Sequence, residues 1–256
     1  MKTLIPLLLM LVAMPSMAQR QFDIEVIIFN RAVDAEQTDE SWPTSVAEID
    51  LEKAAPFNDA SYRAKKGVQM LPASEYALND EVNKLKQHAG FKVLMHKAWR
   101  QGDQGRFAAP VFHVQAGRDY SGKFNPDGSM INAQQSQILE GITEQSIPKP
   151  LYQLDGKLQI YVEHYLYADV QLDLKAPSVK EVTLEQHQPT TDNLEPAVDN
   201  QVVQVGLMED ITPTVHKVEF LKSYRFDQKR RMRSTETHFL DHPLMGMIIQ
   251  VRRVNQ

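Results

Sequence analysis

Near the carboxyl end, Lys229, Arg230, Arg231 and Arg233 set four cations within five positions. The same run continues through Ser234-Thr235-Glu236-Thr237 to His238, Asp241 and His242 just before Pro243. Like charges this close repel, so the run is costly to hold in a fold unless something anionic meets it. A guanidinium is a planar fork of N–H donors that suits carboxylates. If the segment is extended, Arg231 and Arg233 share one face with Thr235, while Arg230 shares the other with Met232 and Ser234. The competing reading pairs Arg231 and Arg233 internally, with Glu236 or with the Glu of the first strand.

His238, Asp241 and His242 suggest a second chemistry, a metal-dependent hydrolase. Two His at i and i+4 meet one metal only on a helix. Thr235, Thr237 and Phe239 favour a strand, and Pro243 disfavours a helix at His242. A structural turn is therefore preferred to a metal site. Trp99 and Arg100 close another apolar run, where an exposed indole would stack on a sugar; a Trp there is more commonly core or lid. Tyr161, Tyr165 and Tyr167 pose the same question. No Gly-x-Ser-x-Gly elbow, paired-acid pattern or other catalytic set assembles, and no cofactor signature is present. The chain has no cysteine, which removes thiol catalysis and thiolate metal sites.

The elements that must position these groups begin after an export-like leader. Lys2, an apolar run over 4–14, Pro15 and Ser16-Met17-Ala18 predict a signal peptide (1–18) cleaved after Ala18. Gln19 stands where a lipoprotein would need Cys, and no later run is long enough to span a bilayer. A cysteine-free exported chain fits the bacterial periplasm. Residues 217–256 carry nine Lys and Arg against four acids, although the whole chain has a net charge of −5. This asymmetry predicts a basic recognition surface on an acidic body. Plausible anions there are cell-wall peptide carboxylates, lipid phosphates or an acidic protein; nucleic acid is not an expected partner.

Phe22-Asp23-Ile24-Glu25-Val26-Ile27-Ile28-Phe29 reads as a first strand buried on both faces at its end. Residues 32–60 read as an irregular acidic loop, 74–88 as the main helix with Ser74 as N-cap, and 91–100 as a second strand. This order predicts a βαβ-like start. A short strand at 111–115, a turn at 125–128 and a short helix at 133–140 follow. Asp155-Gly156 introduces one long alternating strand over 157–174. Residues 176–213, rich in Pro, Asn, Gln and Thr, read as a flexible insertion. Strands at 217–226, 230–239 and 246–254 end the chain as a three-strand meander. The expected class is α+β, a single domain over 19–256 with a mixed, mostly antiparallel sheet.

These blocks together resemble the CsiV-type peptidoglycan-binding family of Gram-negative periplasmic proteins. The matching residues are Phe22 to Phe29 as quoted, Leu94-Met95-His96-Lys97-Ala98-Trp99-Arg100-Gln101, and Leu154-Asp155-Gly156 leading to His164-Tyr165-Leu166-Tyr167. They end with Arg230-Arg231-Met232-Arg233-Ser234 and His238-Phe239-Leu240-Asp241-His242-Pro243-Leu244, the most specific block. Phe239 and Tyr167 depart from the pattern, which would have Tyr and His. The resemblance implies a non-enzymatic protein that binds peptidoglycan. It also implies support for a class A penicillin-binding protein and that enzyme's outer-membrane lipoprotein activator.

Overall fold

Alternation of acidic and apolar residues followed by a fully apolar stretch places Gln21–Arg31 (β1) near the centre of a sheet, where both faces are covered. The computed structural model describes residues 20–131, 149–183 and 215–254. Besides β1 its strands are Ala55–Pro56 (β2), Gln69–Met70 (β3), Phe91–Gly102 (β4) and Val111–Asp119 (β5). Tyr152–Val162 (β6), Leu166–Thr183 (β7), Val215–Met232 (β8), Thr237–His242 (β9) and Met245–Arg253 (β10) follow. Two helices, Ala60–Lys66 (α1) and Asn79–Gln87 (α2), lie between β2 and β4.

The strands form two five-stranded sheets, ordered β3-β4-β1-β10-β9 (sheet A) and β2-β5-β6-β7-β8 (sheet B). Pairing is antiparallel except between β2 and β5. Ile24, Val26 and Ile28 of β1 and Met247, Ile249 and Val251 of β10 share one buried cluster with Leu154, Leu158, Val170, Leu172 and Phe226 of sheet B. The sheets therefore pack face to face. Burying such a side chain stabilises by about 1.5–3 kcal/mol. A second cluster puts Leu78, Val82 and Leu85 against Ile27 and Phe29, so α2 covers the other face of sheet A. Leu78, Val82 and Leu85 recur at helical spacing, which puts them on one face.

Several expectations are corrected. The start is not a parallel βαβ unit, because β1 and β4 are antiparallel neighbours. Helical and strand periodicities fix element type and carry no information on strand direction. The main helix runs over Asn79–Gln87, and Ser74 lies instead in a 3-10 turn over Ala73–Glu75. The cap comes from β1: the Glu25 carboxylate accepts from Ala77 N–H (2.7 Å) and Leu78 N–H (2.9 Å). Helix α1 was missed because none of its residues is buried, although Asp59 caps Tyr62 N–H and Gly67 closes it at φ 65°.

The single strand expected over 157–174 is the β6–β7 hairpin, turned at Glu163-His164-Tyr165. Val162 pairs with Leu166, Leu158 with Val170 and Leu154 with Leu174, so even residues meet even residues. The alternation passes through the turn unbroken and hides it. Asp155-Gly156 lies inside β6; a Cβ on Gly156 (φ 152°) would sit 2.2 Å from Gln171 O. Glycine there permits close approach of β7.

The C-terminal meander is also corrected. Strand β8 edges sheet B, and only β9 and β10 form a hairpin, in sheet A. Residues 233–236, with Thr235 at φ 72°, carry the chain between sheets. Gln228 Nε2 donates to Asp241 O (2.8 Å) across that seam. Of the insertion expected over 176–213, residues 176–183 belong to β7 and the rest lies outside the described residues. The leader and the helix expected at 133–140 also lie outside them.

Candidate functional site

The register of β6, β7 and β8 gathers aromatic rings and cations at one corner of the outer face of sheet B. Tyr161 and Tyr167 are cross-strand partners, and Tyr167 is opposite Arg231. The Tyr161 and Tyr167 rings stack at 5.3 Å. Lys229 Nζ lies 5.1 Å from the Tyr167 centroid and 5.6 Å from that of Tyr161. The β6–β7 turn holds up Tyr165, over whose ring Arg231 Cζ sits at 4.6 Å. Such cation–π contacts orient the cation while leaving its polar edge open.

Lys229, Arg230, Arg231 and Arg233 are all exposed. Among the described residues Arg230 and Arg231 enter no ion pair. Arg233 leaves the strand for the turn, 3.6 Å from Glu236, with its side chain 80% exposed. The internal pairing weighed for Arg233 therefore exists at an exposed site, where it is worth little. Glu25 of the first strand is occupied by other residues.

The remaining predicted site residues are elsewhere. Trp99 is wholly buried and donates to Gln101 Oε1 (2.7 Å), with Phe57 and Phe112 against it. It has no face for a sugar, because its strand position points into the space between the sheets. Arg100 lies on the outer face of sheet A, where Asp23 takes its fork at 2.6 and 2.9 Å. That carboxylate raises the Arg100 guanidinium above its ordinary value.

His238, Asp241 and His242 do not converge. His238 Nε2 accepts from Arg233 N–H (3.1 Å), bracing the turn. Asp241 pairs with Arg31 on the opposite face of β9. His242 is buried between Trp42 (5.2 Å) and Phe226 (5.6 Å), and its Nδ1 accepts from Leu244 N–H (3.2 Å). Burial pushes the His242 imidazole below its ordinary value of 6.5, against the opposing pull of Glu40 and Asp241. Positions four apart on a strand are separated by about 13 Å, whereas ligands of one zinc lie about 2 Å from it. Among the described residues no three His, Asp or Glu side chains group as a metal site.

Sequence reading missed the part played by the 103–110 loop beside this corner. Arg106 lies 3.5 Å from Asp169, whose partner on β8 is Lys229, and Phe107 is 97% exposed. A lone Arg-Phe between Gly and Ala carries no periodic signal. Nearby, residues 44–54 cross the same face, with Lys157 Nζ donating to Asp50 O (2.8 Å) and Arg225 to Ala47 O.

A family model described as "Peptidoglycan-binding protein, CsiV" matches residues 2–254. No curated protein and no solved structure matches the chain.

Proposed function

The chain belongs to the CsiV family of peptidoglycan-binding proteins, and from that membership we propose that it is a non-enzymatic periplasmic protein that holds the cell wall through the corner of sheet B. The observation that carries this reading is the open cation set of β8, with Arg231 held over Tyr165 and Lys229 over Tyr167. The leader over 1–18 supports export, and among the described residues no helix is long and apolar enough to cross a membrane.

Family resemblance extends the proposal to a class A penicillin-binding protein and its outer-membrane lipoprotein activator, whose wall synthesis this protein supports. Added to purified polymerase and activator, the mature protein is expected to raise glycan synthesis; an unchanged rate at saturating protein removes that part. Wall binding itself is tested by co-sedimentation with purified sacculi. The mature protein should pellet at low salt and be released as salt screens the cations. Failure to pellet at low salt would reject wall binding.

A further inference from the structure

We infer that the corner recognises the free carboxylates of the wall's peptides and does not stack on its sugar strand. This deepens the wall-binding reading and rests on it. Three observations carry the choice between the two halves of the polymer.

The first is the state of the aromatic rings. A sugar stacks through its C–H face on a bare ring. Here Tyr161 is wholly buried, the Tyr167 ring lies against Tyr161 and beneath Lys229, and Tyr165 carries Arg231. The rings serve as seats for cations, so the corner presents N–H donors outward. Trp99 is inside the molecule, and the bare ring beside the corner, Phe107, belongs to the 103–110 loop and not to the strands that carry the cations.

The second is the geometry of the donors. A guanidinium seated over a ring keeps N–H groups free, and its fork suits a planar carboxylate accepting two parallel hydrogen bonds. Lys229 and Arg231 are alternate residues of β8 on one face, about 7 Å apart along the strand. Two carboxylates of one short acidic peptide can meet both. The third concerns the fork itself: Arg231 enters no ion pair among the described residues, and the nearest acid of the β7–β8 ladder, Asp169, lies opposite Lys229 and 3.5 Å from Arg106.

Amide-substituted aminosugars carry no charge when the peptide is attached, so the two ligand classes separate experimentally. Sacculi whose carboxyl groups are converted to amides by carbodiimide and ammonia keep both glycan and peptide but lose the anions. Pelleting of the mature protein should fall by about tenfold or more on amidated sacculi. Free acidic stem peptide should compete with intact sacculi, and neutral N-acetylglucosamine oligomers should not. Arg231→Lys, which keeps the charge and loses the fork, should weaken pelleting several-fold; loss of pelleting in Phe107→Ala would assign the contact to that bare ring and overturn the inference. Equal pelleting on amidated sacculi, or competition by the neutral oligomers, would overturn the inference while leaving wall binding standing. Wild-type affinity in Arg231→Lys would overturn the role of the fork. Circular dichroism and the melting temperature of each variant establish that it is folded. No pelleting on intact sacculi would instead reject the wall-binding reading beneath it.

Discussion

The outer face of sheet A and the β8 end of sheet B both carry arginines, and they treat them in opposite ways; Arg225, farther along β8, ends on Asp173 and belongs with the first kind. On the outer face of sheet A, Arg100, Arg252 and His96 each meet a carboxylate. Glu25, wholly buried, meets His96 (2.8 Å), Arg252 (3.0 Å) and the Ala77 and Leu78 N–H groups that lead into α2, while Asp23 holds Arg100. Burial alone would raise the Glu25 carboxyl; His96, the Ala77 and Leu78 N–H groups and Arg252 outweigh it and bring the group down to about 2. On sheet B the cations of the β8 end meet ring faces, which attract them without neutralising them. The difference teaches how to tell a structural arginine from an available one: the first ends on a carboxylate inside the fold, and the second is positioned by something that leaves its charge unspent.

Breaking the sheet A network should give the largest effect. Glu25→Ala leaves Arg252 and His96 without their anion and α2 without its cap, and should cost about 3–5 kcal/mol in denaturant unfolding. A loss below about 1 kcal/mol would show that the network is dispensable and erase the contrast. Gly156→Ala should follow, since its Cβ would collide with the Gln171 carbonyl; strained positions of this kind cost on the order of 1–3 kcal/mol. Its melting temperature would reveal whether sheet B tolerates displacement of β7.

Acid should act on His242 first and on Glu25 later. His242 has its folded value below 6.5, so the unfolded chain binds the proton first and stability falls as pH drops below 6.5. Glu25 is depressed from 4.5 to about 2, so its contribution is complete above 4.5 and is lost as pH falls from there through about 2. His242→Asn, which keeps an acceptor for Leu244 N–H, should flatten the decline just below pH 6.5 and leave the lower one. An unaltered pH profile would place the upper decline at another group.

The smallest effect on stability sharpens the comparison most. Arg231→Ala with Arg233→Ala should change unfolding by no more than about 0.5 kcal/mol, yet weaken sedimentation with sacculi. A large stability loss would make these residues structural, like Arg100.

Much of the architecture was readable in the chain. The buried first strand, the helical face Leu78-Val82-Leu85 and the alternating apolar residues of β6 and β7 each follow from a period of 2 or 3.6 that a half-buried element must show. The turn at Glu163-His164-Tyr165 was not readable, because the hairpin register preserves parity on both sides of it. Nor was the separation of β8 from β9: residues 233–236 fall inside the strand expected over 230–239, because Thr235 favours a strand by type although it takes φ 72° here.

The candidate site divides along the same line. Residue types alone disclosed a cationic cluster, the lack of thiols and the poor fit of His238 and His242 to a helical metal motif. Which arginines remain open was decided only in three dimensions. Arg100 and Arg231 are the same letter, and strand register sets one opposite Asp23 and the other opposite Tyr167, over the ring of Tyr165 in the adjoining turn. Local sequence sets the period and the charge of a strand; the neighbour a side chain meets across the sheet depends on pairing between segments far apart in the chain.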